Sequence, residues 1–488
     1  MQLVGEKHSR VEMLSKLILA ASALLPILLS AQVVSDPGTS GGPLEIVHLY
    51  NDQWPTGVLP LTTTLCSTPQ LTSPGITVSR TGRKFSNYPA GLDSNNTNTG
   101  NVSRYAVAEL TSNNTETPYP NAEINNPPGG AINYTTTPPT SANYQDYLIG
   151  VQSVVLDPLD RLWILDTGRV QTTDGVLLNA SPGGTKLICV DITTNSVIQT
   201  IVFPSTVAFP DSYVNDVRFD LRPSLTTSGK GVAYITDSSS EGRNGIITVD
   251  LGTGESWRHL DNIPEVSAER GFVPFVWGQP LYYIPGPGLP LTTVPLGSDG
   301  IALSADGEDL FFGPVGGRGL YSVPTKRLRD RSAASELLAQ GAVQNRGQRG
   351  VSDGFETDTN GFIYAGNMEQ NQLSFFNPAN GTVSTLVRDP RISWIDTRKT
   401  SKIPVIGRMG CVICCANGSQ FPWRVMDIST SPITSSHSAR ASPPARTGAC
   451  VHSHCSESSC PTTAQELICN RRAPVQLTRK SQHQDLVV

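Results

Sequence analysis

The sequence predicts an all-β protein, and three observations support this prediction. The chain of 488 residues contains 44 glycines and 37 prolines, two residue types that mark turns and are rare in helix interiors. Hydrophobic residues make up 38% of the chain, which is enough to bury a core and excludes wholesale disorder. The middle of the chain also repeats a pattern of short strands joined by tight turns.

The repeat consists of a short apolar strand, a polar Asp/Gly/Asn turn and a second strand that carries an aromatic residue. It occurs at residues 154–168, 217–237, 301–313 and 354–367, each followed by a third strand, with a weaker copy at 75–89. Successive units of antiparallel strands are typical of the blades of a β-propeller. A stack of β-sandwich domains is the structural alternative. The aromatic residues at the equivalent second-strand position are expected to pack between blades; they are Trp163, Tyr234, Phe311 and Tyr364.

The N-terminal end predicts export. Residues 17–30 read LILAASALLPILLS, an apolar run that is shorter than the roughly 20 residues of a spanning helix. Lys16 precedes the run and Ala31 follows it, which is the layout of a secretory signal peptide. We therefore predict a signal peptide at 1–31, a linker at 32–45, and a secreted protein with no membrane association after cleavage.

Asn-x-Ser/Thr triplets agree with an exported protein. Such triplets accept N-linked glycans in secreted chains. The predicted acceptors are Asn95, Asn101, Asn113, Asn133 and Asn380. Most of them lie in the Asn/Thr/Pro-rich stretch 92–145, which we interpret as a surface insertion between the first two blades of a propeller that spans 46–400.

Composition changes near residue 400. Seven of the nine cysteines lie at 401–488, where nine Lys/Arg outnumber four Asp/Glu. This segment is rich in Ser, Pro and Arg, loses strand alternation, and is predicted to be a disordered tail. The net charge of −5 for the whole chain also argues against nucleic-acid binding, which usually needs a basic excess.

Several motifs resemble those of the major royal jelly protein/yellow family. The resembling segments run in order from about residue 46 to Trp394; they include LDPLDRLWILDTGR (156–169), SYVNDVRFDLR (212–222) and SDGFETDTNGFIYAGNMEQNQL (352–373). The resemblance implies a secreted, often glycosylated, six-bladed β-propeller with a ligand pocket at the mouth of the central channel. Family members continue past the Trp394-Ile395-Asp396 motif into strands that complete the last blade, whereas this chain enters the Cys/Ser/Pro-rich segment. We therefore expect the last blade to be incomplete.

Polar residues at the blade entrances are the candidate ligand site, because residues that open the innermost strands line the top of a propeller channel. The repeat alignment places Asn215, Asp216, Asp299 and Asp353 there, and Asp166 closes an adjacent strand that reaches the same rim. Carboxylate and amide oxygens on a rigid ring suit a hard cation such as Ca²⁺ or the ammonium group of an amine. The alternative is that each Asp caps a turn.

Asn215 is also the candidate metal ligand. The segment 213–217 resembles the metal-ligand segment of gluconolactonase/senescence-marker propellers, which makes Ca²⁺ the cofactor to test. Only His48 and His259 lie between the signal and the tail, so a histidine general base has few candidates.

Three functions follow from these observations. The first is a secreted protein that binds a small, cationic or aromatic molecule at the channel mouth. The second is an enzyme, either a metal-dependent lactonase-like hydrolase or one that converts catechols. The third is a structural or nutritive secreted protein without a ligand.

Overall fold

In the computed structural model, residues 75–396 are described apart from 113–114, 287, 390–391 and 393. Beyond them, only the backbone is described, and only for short strands. These are Val34–Ser35, Gly41–His48, the remainder of Trp394–Lys402, Met409–Ala416 and Arg424–Thr430. The predicted signal peptide and residues 431–488 of the predicted tail lie outside the described residues.

The fold is an all-β propeller whose described residues contain five blades of four consecutive strands each, and Val34–Ser35 adds a short parallel strand to the outer edge of the fifth. Within each blade the strands follow one another in antiparallel order. Blade 1 comprises Ile76–Val78, Lys84–Asn87, Val107–Ser112 and Thr115–Pro118. Blade 2 comprises Val151–Leu156, Leu162–Asp166, Lys186–Asp191 and Ser196–Val202. Blade 3 comprises Val214–Asp220, Val232–Asp237, Gly245–Asp250 and Ser256–His259. Blade 4 comprises Ser298–Leu303, Asp309–Pro314, Gly319–Pro324 and Gln344–Gln348. Blade 5 comprises Phe355–Thr357, Ile363–Asn367, Gln372–Asn377 and Thr382–Arg388.

The remaining elements are short. Two-stranded sheets pair Ile132–Asn133 with Thr140–Ser141 and Phe275–Val276 with Gln279–Pro280. Two α-helices and two 3₁₀ helices complete the described part; they are Thr325–Arg329, Ser335–Gln340, Ser94–Asn96 and Pro223–Leu225. No helix among the described residues is long and apolar enough to cross a membrane.

The turns that join the first two strands of each repeat form where the sequence predicted them. Asp160 adopts a φ of 65°, and Gly307 and Gly361 adopt 73° and 82°. Asp and Gly tolerate these left-handed conformations at low cost, which lets the chain reverse within a few residues.

Aromatic packing between blades is also confirmed. Trp163 of blade 2 stacks on Phe219 of blade 3 with ring centroids 5.1 Å apart. Phe311 of blade 4 lies 6.1 Å from Phe376 of blade 5. Because each blade buries one face against the next, the core is a series of interblade layers rather than a single centre.

The segment 92–145 differs from the prediction of a surface insertion. It contains the two outer strands of blade 1, Val107–Ser112 and Thr115–Pro118. These strands are half exposed and rich in Thr and Glu, so their composition resembles that of a loop.

The first strands of successive blades neighbour one another around the central channel, and the strand Trp394–Lys402 neighbours the first strands of blades 5 and 1. This strand belongs to a further four-stranded sheet, in which Gly41–His48, Arg424–Thr430 and Met409–Ala416 take part in the backbone pairing. The sequence predicts an incomplete last blade after Asp396, and the completeness of this blade stays a prediction. One strand of the further sheet comes from the N-terminal side of the chain. Met409–Ala416 and Arg424–Thr430 lie inside the segment that the sequence assigns to the tail. The predicted boundaries between linker, propeller and tail stay predictions.

Candidate functional site

A cavity opens at the channel mouth, where the first strands of the blades begin. Its volume is about 970 Å³ including the opening to solvent. Asn215, Asp299 and Asp353 line it, together with Gln152 from blade 2 and Trp394 from the strand that follows blade 5. Three of the five sequence-predicted site residues therefore meet at one cavity.

Two of the lining carboxylates, Asp299 and Asp353, form a cluster with Asp396, which does not itself line the cavity. One carboxylate oxygen each from Asp299, Asp353 and Asp396 lies within 4.8 Å of the others. The three residues are only 3%, 7% and 7% exposed. Burial raises the pKa of Asp299 well above its usual value, and the neighbouring charges of Asp353 and Asp396 raise it further. A cation placed among these oxygens would relieve that repulsion.

Two hydrogen-bond donors hold the carboxylates in place. The indole nitrogen Nε1 of Trp394 donates to Oδ2 of Asp353 at 2.6 Å. The amide nitrogen of Asn215 donates to Oδ2 of Asp299 and to Oγ of Ser238, the latter at 2.9 Å. Oδ1 of Asp299 is buried and has no hydrogen-bond partner among the described residues. The cavity thus contains one buried acceptor atom that a ligand could satisfy.

The orientation of Asn215 is fixed by a chain of hydrogen bonds. Tyr213 donates its hydroxyl to Oε1 of Gln152 at 2.9 Å, and Nε2 of Gln152 donates to Oδ1 of Asn215 at 3.4 Å. Burial raises the pKa of Tyr213, so its hydroxyl stays protonated and continues to donate. The Asn215 amide oxygen therefore faces Gln152, and its nitrogen faces Asp299.

Asp166 is not brought to this cavity. It accepts backbone hydrogen bonds from Ile149 and Gly150, both at 2.8 Å, and forms a fully buried ion pair with Lys186 at 2.9 Å. It ends the second strand of blade 2 rather than opening a first strand, and its oxygens hold the preceding turn in place.

Asp216 also lies outside the cavity lining. It pairs with Arg218 at 2.9 Å and accepts a hydrogen bond from Ser153 at 3.1 Å. Asn215 and Asp216 lie where the pairing with the second strand shifts register, between Val214 and Val217, and the carboxylate of Asp216 is held by Arg218 and Ser153 instead of lining the cavity.

Sequence reasoning missed four residues of the site. Asp396, Trp394, Tyr213 and Gln152 were not among the candidates, although they hold or complete the carboxylate cluster. A signal was present for Asp396, because it follows the end of the last repeat as Asp299 and Asp353 follow the ends of earlier ones.

The described glycan acceptors lie at or near the surface. Asn95, Asn101 and Asn380 are exposed and Asn133 is half exposed, while Asn113 lies outside the described residues. Oδ1 of Asn380 accepts hydrogen bonds from Thr382 of its own triplet. Glycosylation itself stays a prediction.

These features define an all-β propeller with a buried acidic cluster at the mouth of its channel. The sequence profile of the family described as "Major royal jelly protein" matches residues 149–402, which is more than half of the chain. The chain belongs to this family.

Curated relatives agree with this assignment at modest identity. The chain is 25% identical over 236 residues to "Major royal jelly protein 7" of Apis mellifera, a match covering 48% of this chain and 46% of the relative. It is 25% identical over 210 residues to "Protein yellow" of Drosophila guanche, covering 40% and 32%. The chain thus spans less than half the length of these relatives.

Solved structures with a similar arrangement include a gluconolactonase from Xanthomonas campestris and a calcium-binding regucalcin from Agrobacterium tumefaciens. Their TM-scores are 0.37 and 0.39 at 11% and 12% identity; the matches cover 75% and 74% of this chain and 88% and 92% of those chains. Likeness at this level identifies no site.

Proposed function

We propose that this chain is a secreted β-propeller that binds a small organic cation, an amine with an aromatic or apolar body, at the channel mouth. The observation that carries this proposal is the buried cluster of Asp299, Asp353 and Asp396, with Oδ1 of Asp299 lacking a partner among the described residues. An ammonium group offers both the charge and the hydrogen-bond donors that such a cluster requires.

The walls of the cavity favour an organic cation over a bare ion. Tyr282, Tyr283 and Ile284 line it on the side of the loop that joins blades 3 and 4, and Trp394 lies beside Asp353. Aromatic rings attract cations and pack against apolar bodies.

Calcium and a lactonase-like hydrolase form the second candidate, favoured by the spacing of the three carboxylates. Ca²⁺ takes six to eight oxygen ligands. Asp299, Asp353 and Asp396 supply suitable oxygens. Asn215 presents its nitrogen to Asp299, so it would have to turn its amide around to join them. A structural or nutritive role without a ligand is the alternative that the same titrations address, and a catechol-converting enzyme is the further alternative.

Isothermal titration calorimetry tests the binding proposal, with phenethylammonium as the probe and uncharged phenethyl alcohol as its control. We expect the amine to bind and the alcohol to bind far more weakly. Asp299→Asn and Asp353→Asn should each weaken amine binding at least tenfold, about 1.4 kcal/mol, because each removes a buried negative charge. Asp146→Asn is the matched control, since that residue is exposed.

Calcium is titrated into the same proteins after treatment with a chelator. Amine binding that survives chelation favours the binding protein, whereas calcium uptake that Asn215→Ala abolishes favours the metal-dependent alternative. Uptake of neither probe by the folded protein would contradict both and leave the structural role.

Export is the second part of the proposal. Its support is the apolar run at 17–30 and the family to which the chain belongs. Expressed in a eukaryotic host, the protein should appear in the medium with its N-terminus near Gln32 and lose mass on deglycosylation. Retention in cells with Met1 or Met13 at the N-terminus would contradict it.

We also propose that the ring has six blades. The support is the backbone pairing of Trp394–Lys402, Met409–Ala416 and Arg424–Thr430 with Gly41–His48, and the position of the first of these strands between blades 5 and 1. A ring closed by an N-terminal strand leaves no open sheet beside the channel.

A further inference from the structure

The loop between blades 3 and 4 carries no charge over 28 residues. From Gly271 to Ser298 the sequence contains no Asp, Glu, Lys, Arg or His, in a chain of which 16% is charged. We call residues 271–298 the mouth loop; it is described except for residue 287.

The inner face of the mouth loop is part of the molecule's core. Leu281 and Val294 are buried in a cluster with Val315, Met368 and Trp394. The loop is also held at its base, where Arg318 lies 4.7 Å above the Phe272 ring and forms an ion pair with Glu369 at 2.6 Å. The mouth loop therefore has a defined position on the channel mouth.

The outer face of the mouth loop exposes large apolar side chains. Six of the fifteen exposed large hydrophobic residues among the described part of the chain lie in it: Phe275, Trp277, Tyr282, Ile284, Leu289 and Leu291. Leu289 and Leu291 are 56% and 55% exposed. Scattered apolar residues are normal on a protein surface, but this concentration in one loop marks an interaction surface.

At the tip of the loop, Trp277 adopts a backbone conformation that tryptophan disfavours. Val276 pairs with Gln279, so Trp277 and Gly278 form a two-residue hairpin turn, with φ values of 51° and 73°. Turns of this kind favour Asn or Asp before Gly, because a bulky residue is disfavoured at positive φ. Trp277 nevertheless occupies the position and is 40% exposed, so burial within this chain does not account for the choice of tryptophan.

The turns of the mouth loop also stand clear of the rest of the protein. A Cβ atom added at Gly271, Gly278 or Gly288 would meet nothing within 4 Å. The indole ring of Trp277 at this tip is therefore free to contact a surface outside the protein.

We propose that the mouth loop docks this protein on the surface of a lipid bilayer, with Trp277 and its apolar neighbours inserted at the interface. Tryptophan and tyrosine are enriched at membrane–water interfaces, and an apolar segment that lies in the interface binds through buried area. The 28 residues supply no charge of their own to steer a charged partner surface onto the loop. The absence of charge matches a neutral, zwitterionic lipid surface rather than an anionic one.

Docking of this kind differs from the expectation of no membrane association after signal cleavage. That expectation rested on spanning segments, and a hairpin that inserts only its tip contains none. Tyr282 and Ile284 also line the cavity, whereas Trp277 does not, so a variant of Trp277 tests the docking separately from the proposed amine site.

Flotation of the full-length secreted protein with phosphatidylcholine vesicles tests the proposal. The wild type should float with the vesicles at low and at high salt alike, since the loop has no charge to screen. Trp277→Asn should reduce the bound fraction at least tenfold. Because Asn suits a positive φ, this variant should melt at the same temperature as the wild type or higher.

The control is Leu337→Ser with Leu338→Ser, which removes two exposed apolar side chains from the helix Ser335–Gln340 outside the mouth loop. It should float as the wild type does. A wild type that stays unbound, binding that salt abolishes, or a Trp277→Asn variant that floats normally would each overturn the proposal. Loss of self-association in Trp277→Asn without vesicle binding by the wild type would assign the loop to a second copy instead and would also overturn it.

Discussion

At the scale of single residues, the site is a balance between burial and charge at Asp299. Asp299 lies beside Asp353 and Asp396 and is almost fully buried, which disfavours its ionised form. Arg218 supplies a buried positive charge nearby, but it is paired with Asp216. The cluster is therefore destabilising until a proton or another cation joins it.

Replacing Asp299 by Asn should make the free energy of unfolding higher at neutral pH. The pKa of Asp299 is raised in the folded state above the usual value of 3.8, so the folded state holds its proton more tightly than the unfolded state. Stability of the wild type therefore falls as pH rises from about 4 toward the folded-state pKa. Asn carries no proton to lose, so the advantage of Asp299→Asn should vanish near pH 4 and grow toward neutrality. Urea denaturation at both pH values measures it.

Asp166→Asn provides the contrast, because Asp166 is paired with Lys186 rather than with other carboxylates. Removing its charge leaves a buried ammonium unpaired and should cost about 3–5 kcal/mol at neutral pH. If Asp299→Asn were instead as destabilising as Asp166→Asn, the carboxylate of Asp299 would be stabilising the apo fold and its role as an open ligand site would be contradicted.

At the scale of elements, the start of the first strand is the position that builds the site. Blade 3 supplies Asn215 and blade 4 supplies Asp299 from this position, and Asp353 lies two residues before the first strand of blade 5. The repeat in the sequence was sufficient to predict these three, since equivalent positions in a propeller converge on one channel. The repeat did not predict the position of Asp166. This residue ends a second strand, and its carboxylate accepts a hydrogen bond from the backbone of Ile149, just before blade 2.

The rest of the site depends on contacts between blades that the sequence does not display. Gln152 of blade 2 bonds to Tyr213 and Asn215 of blade 3, although 61 and 63 residues separate them. Trp394 reaches Asp353 across 41 residues. Such pairs form only once the ring brings blade entrances together, so residue type and local spacing do not reveal them. The apolar mouth loop was equally hidden, because its exposure depends on which of its faces packs on the channel.

At the scale of the whole molecule, the strand Trp394–Lys402 links the candidate site to a sheet built from distant parts of the chain. Trp394 and Asp396 belong to the site, and the strand that carries them pairs with Met409–Ala416. The sheet continues through Arg424–Thr430 to Gly41–His48, so its last strand comes from the opposite end of the chain. The candidate site and the two ends of the propeller are therefore coupled.

Deleting residues 32–48 from the secreted protein should lower its stability and promote aggregation. The deletion removes Gly41–His48, which leaves the edge of Arg424–Thr430 without its partner strand, and also Val34–Ser35, which pairs with Thr382–Arg388 of blade 5. Unpaired edges recruit strands from other molecules, and loss of the closing strand frees Trp394–Lys402 to separate from blades 5 and 1. We expect a lower melting temperature, light scattering on concentration and weaker amine binding than in the intact protein. Deletion of 432–488 is the matched control, because it removes a longer segment but none of the paired strands, and its melting temperature should equal that of the intact protein. A protein lacking 32–48 that stays monomeric and melts with the control would show that blades 1 to 5 hold the channel mouth without the sixth sheet.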